Sequence, residues 1–62
     1  MLEYVKTILL KVSFDKMLFE KELRKALRML VPTELVELKS WCYQQFAKVY
    51  QLVLNRVFAQ AV

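Results

Sequence analysis

From Thr33 to Val62 the apolar positions follow one long helical pattern. The central row, Leu35, Leu38, Cys42, Phe46, Val49, Val53 and Val57, advances in steps of 3, 4, 4, 3, 4 and 4 residues. Their mean of about 3.67 predicts a nearly straight helix rather than a left-handed heptad supercoil. A flanking row, Val36, Tyr43, Tyr50, Leu54 and Ala61, widens the apolar face to about half the circumference. The opposite stripe is Glu37, Ser40, Gln44, Lys48, Gln51 and Asn55.

Two shorter patterns precede it. Leu2, Val5, Ile8, Leu9 and Val12 form a stripe of helical period, with Glu3, Lys6 and Lys11 off it, so a first helix is expected over about 2–12. It stops at Ser13-Phe14-Asp15, where the Asp15 carboxylate suits the N-cap of the next helix. Phe14 and Phe19 then occupy the two positions of a hydrophobic staple. The second helix, about 16–30, buries Phe19, Leu23, Ala26, Leu27 and Leu30 and carries Arg24, Lys25 and Arg28 towards the negative end of its dipole. Pro32 ends it by pushing Val31 out of the helical region. The third helix, about 33–61, starts with Thr33 as its cap or Pro32 as its first residue, and Glu34 favours its positive end.

Helix lengths constrain the assembly. At 1.5 Å per residue the three helices measure about 17, 23 and 43 Å, so neither short helix alone can cover the long one, whereas the two together could. The short connections favour the second helix folding back on the first half of the third. The expected fold is all-α: a single domain over residues 1–62, with two short helices packed on one long C-terminal helix. No internal repeat, low-complexity segment or linker interrupts it.

Composition agrees and narrows the options. A hydrophobic content of 58% excludes disorder, and the lack of glycine with a single proline argues against a turn-rich β fold. A chain of 62 residues buries only about 60% of its unfolded surface, so small scaffolds of this kind need a staple. One cysteine and no histidine leave neither an internal disulfide nor a plausible zinc site, and oligomerisation is the remaining means. Met1 to Leu10 is broken by Glu3 and Lys6, unlike the apolar core of a secretory signal. Trp41 to Val62 is interrupted throughout by Gln44, Gln45, Lys48, Gln51, Asn55, Arg56 and Gln60, unlike an isolated membrane span. With the unpaired thiol, these features favour a cytoplasmic setting.

Candidate chemistry is sparse. Without histidine there is no Ser-His or Cys-His pair, and without glycine no phosphate-binding loop, so no catalytic, cofactor or metal-ligating residue is assigned. The carboxylates Glu20, Glu22, Glu34 and Glu37 read as partners of Arg24 and Lys25 and as first-turn dipole residues. Lys21, Arg24, Lys25 and Arg28 gather four cations on one face of the second helix, which with a net charge of +4 makes an anion or nucleic-acid contact the alternative function. A peripheral membrane role is weaker, because interfacial helices carry a denser basic face.

The apolar excess of the long helix points instead to a partner. If the two short helices cover its main row, Tyr43, Tyr50 and Leu54 remain on one flank and Leu38, Trp41 and Leu52 on the other. Together with Phe58 these are the expected protein-interface residues. Trp41 has a second reading, a satellite of the core covered by the first helix. Cys42 reads as a small buried hydrophobe. The expected function is a non-enzymatic helical interaction module that pairs with a second copy, a dimer above other oligomers, or with another protein.

Overall fold

The computed structural model describes residues 1–60 and contains three helices, α1 (Leu2–Lys11), α2 (Lys16–Met29) and α3 (Pro32–Gln60). Ala61 of the expected flanking row lies outside the described residues. Local chemistry sets the two turns. The Asp15 carboxylate caps α2, accepting from the amides of Met17 at 3.0 Å and Leu18 at 3.1 Å. Leu30 is already extended (φ −92°, ψ 148°), so α2 ends one residue before the expected boundary. Pro32 opens α3 as its first residue, and the Glu34 side chain reaches back to accept from the Val31 amide at 3.3 Å, half of a capping box.

The long helix is not straight. Tyr50 has φ −123° and ψ 24°, outside the helical region, and α3 bends there into a first limb, residues 32–49, and a second limb, residues 51–60. Tyr43, seven residues before the bend, meets Asn55 five residues after it through their side chains. Its ring also lies 6.3 Å from that of Phe58, eight residues after. In a straight helix Tyr43 and Phe58 stand about 22 Å apart. The second limb therefore runs back antiparallel along the first, and the largest dimension of the chain is 26 Å rather than the roughly 43 Å of a straight rod.

Burial explains the bend. A straight second limb projects beyond α1 and α2 and leaves Val53, Leu54, Val57 and Phe58 in water; folded back, all four are buried. Their burial is worth roughly 6–12 kcal/mol as an upper figure, against about 1 kcal/mol for each helical hydrogen bond interrupted at the bend. The four helical segments, α1, α2 and the two limbs, close one core. Leu2, Val5 and Leu9 contribute from α1, Phe19, Leu23 and Ala26 from α2, and Leu38, Cys42 and Phe46 from the first limb.

Two further expectations change. The staple between Phe14 and Phe19 does not form: Phe14 is 80% exposed, whereas Phe19 is wholly buried against α3. Val49, expected in the central row, is 72% exposed, whereas Phe46 on the first limb and Val53 on the second are buried. None of the described helices is long and apolar enough to cross a membrane.

Candidate functional site

An aromatic cluster holds the bend of α3. Phe19 stacks on Tyr50 with centroids 4.6 Å apart and planes 21° from parallel, and meets Phe46 edge-on at 4.8 Å. The buried Tyr50 ring sends its hydroxyl to the α1–α2 turn, where it donates to the Ser13 carbonyl at 2.5 Å. This bond joins residues 37 apart and places the turn and the bend at the same pole of the bundle.

That pole is apolar on its outside. Val49 and Leu52 flank the bend, Leu52 being 83% exposed, and they line a shallow hollow together with Lys16 and Lys48. Phe14 and Met17, the latter 82% exposed, adjoin Ser13 and Lys16 on the turn. Scattered apolar residues on a surface are ordinary, but Leu52, Met17, Phe14 and Val49 are the four most exposed large apolar side chains among the described residues, and all four stand within two residues of the α1–α2 turn or of the bend. Sequence reasoning placed Phe14 inside the staple and assigned no role to Met17. The available signal was the surplus of apolar residues over core positions around Ser13.

The expected interface residues separate into three groups. Leu38, Tyr50, Leu54 and Phe58 are core residues of the chain itself, so the two flanks foreseen along a straight α3 do not exist as exposed edges. Trp41 and Tyr43 are half-buried. Trp41 packs edge-on against Phe46 at 5.5 Å and lies beneath α1, whose Lys6 ammonium sits 5.7 Å from the indole centroid, so its satellite reading is the one observed. Only Leu52 is strongly exposed.

The basic face of α2 is partly engaged. Arg24 binds the Glu20 carboxylate at 2.9 Å, as expected, and Arg56 from the second limb binds its other oxygen at 2.6 Å. The Arg24 hydrogen bond, aided by Arg56, holds the Glu20 carboxyl below its ordinary value of 4.5. Glu20 thus clips the second limb to α2, a contact between residues too far apart in sequence for helical spacing to reveal. Lys21, Lys25 and Arg28 are exposed. Glu22 does not pair with Lys25; both line a groove of about 170 Å³ between α1 and α2, with Tyr4, Ile8, Ala26 and Met29 supplying apolar wall. Cys42 is buried, and burial pushes its thiol up to about 12, so it remains protonated. Among the described residues no group of three or more histidine, cysteine, aspartate or glutamate side chains is placed to hold a metal ion.

No protein-family model, no curated protein and no solved structure matches this chain.

Proposed function

We propose that the chain is a non-enzymatic protein–protein interaction module that pairs with a second copy of itself through the pole at which α3 bends. The observation that carries this reading is the exposure of Phe14, Met17, Val49 and Leu52 at that pole, while the core behind them is closed. A self-complementary apolar patch is the usual basis of a twofold dimer, and a small scaffold without disulfide or metal gains stability from one. The pairing surface moves accordingly, from the flanks of a straight helix to the residues around its bend. A cytoplasmic setting belongs to the same reading, on the ground of the unpaired Cys42. Nucleic-acid contact through α2 is the weaker alternative, since Glu20 engages one of the four cations in its row.

Sedimentation or light scattering across the micromolar range tests the proposal. The expected result is a mass that rises to two chains, and a variant carrying Phe14→Glu and Leu52→Glu that stays a single chain, still melts cooperatively and loses the concentration dependence of its melting temperature. A single chain at every concentration overturns it.

A further inference from the structure

We propose that the two copies pair by exchanging the second limb of α3: each chain straightens at Tyr50 and lays residues 51–60 on the body of the other. This rests on the reading that the partner is a second copy. Two observations carry it.

The first is local. Tyr50 is the described residue of α3 with non-helical dihedrals, yet the hinge stretch from Ala47 to Val53 contains neither glycine nor proline. The apolar row from Phe46 through Val49 to Val53 keeps helical spacing across it, so a continuous helix satisfies the same residues. The bend is held instead by Tyr50 against Phe19 and Ser13, contacts made outside α3.

The second is geometric. Within one chain the limbs pack antiparallel, and Tyr43 meets Asn55 and Phe58 at nearly equal distances in sequence on either side of the hinge. Two straight α3 helices related by a twofold axis at residue 50 bring the same residues together between chains. The clip from Glu20 to Arg56 transfers with them. Exchange of an identical element preserves the contacts of the closed form and is a low-cost route to a dimer.

Cross-linking decides between exchange and simple docking. In a Glu20→Cys/Arg56→Cys variant treated with a short bismaleimide, the native Cys42 stays out of the reaction because it is buried. Exchange predicts that the cross-link joins two chains on a denaturing gel. A dimer by light scattering whose cross-links stay within single chains overturns limb exchange and leaves self-pairing standing. A single chain at every concentration overturns both. Mixing Glu20→Arg chains with Arg56→Glu chains gives a second measurement that needs no cysteine. Exchange restores opposite charges only between unlike chains, so native mass spectrometry is expected to show a heterodimer fraction approaching twice the statistical half, and a statistical mixture overturns exchange.

Discussion

The chain reverses direction within its last two helices in two ways, at Pro32 and at Tyr50, and the two reversals have different causes. At Pro32 the cause is local: proline lacks the amide a continuing helix requires, Leu30 is extended, and Glu34 caps the helix that follows. At Tyr50 no proline or glycine interrupts the helix, and the bend is set by distant contacts: burial of the second limb favours it, and Phe19 and the Ser13 carbonyl hold the tyrosine from other elements. The first reversal therefore belongs to the peptide, the second to the folded core. A bend of the second kind is reversible in principle, since nothing in its own backbone forbids the straight form.

The sharpest way to break this comparison is Phe19→Ala. It removes the ring on which Tyr50 stacks and is expected to cost about 3–5 kcal/mol, comparable with the whole stability of a domain of this size. Circular dichroism should show the cooperative melt lost at 25 °C; a melt shifted by only a few degrees shows that the aromatic cluster does not hold the bend.

Cys42, eight residues before the hinge, reports whether the packed face stays covered. Its buried thiol should resist iodoacetamide in the native protein and react in denaturant, and fast native labelling counts against a closed core. Because burial raises its value from 9.0 to about 12, the stabilisation it contributes is complete below pH 9 and is lost as pH rises through that interval.

Single-group changes then separate the two reversals. Tyr50→Phe keeps the ring and deletes the bond to Ser13, with an expected loss of about 1 kcal/mol and a fall in melting temperature of about 4–8 °C. It should also raise the dimer fraction, since it loosens the hinge. Pro32→Ala should lower stability by only about 0.4–1 kcal/mol, acting through the unfolded chain, without altering oligomeric state. If both variants shift the oligomer equally, the distinction between local and tertiary bends fails.

The smallest effect expected is at Glu20. Its depressed carboxyl gives stabilisation that is full above the ordinary value of 4.5 and fades as pH falls through its lowered folded value. Acid titration of Glu20→Gln should lack this component, and identical acid profiles for variant and parent would show that the clip on the second limb contributes nothing.

Much of this was legible beforehand. The three helices, the Asp15 cap, the termination at Pro32 and the Glu20–Arg24 pair all depend on residues within one turn of each other, the range over which spacing is informative. The stripes of α1 and α2 also identified their buried faces, from Leu2 to Leu9 and from Phe19 to Leu30. The interface residues were less legible. Leu38, Tyr50, Leu54 and Phe58 are apolar at helical spacing, and that pattern is the same whether the cover is another chain or the helix's own second half.

By itself, then, the sequence determined an all-helical chain, its two turns and which faces are apolar, because propensity, capping and periodicity act over a few residues. Only the tertiary structure decided that α3 bends at Tyr50, that its second limb covers its first, and that Phe14, Met17, Val49 and Leu52 are left outside. The reason is one of magnitude. Burying four large side chains of the second limb outweighs the few hydrogen bonds that a straight helix keeps, and that balance depends on elements distant in sequence.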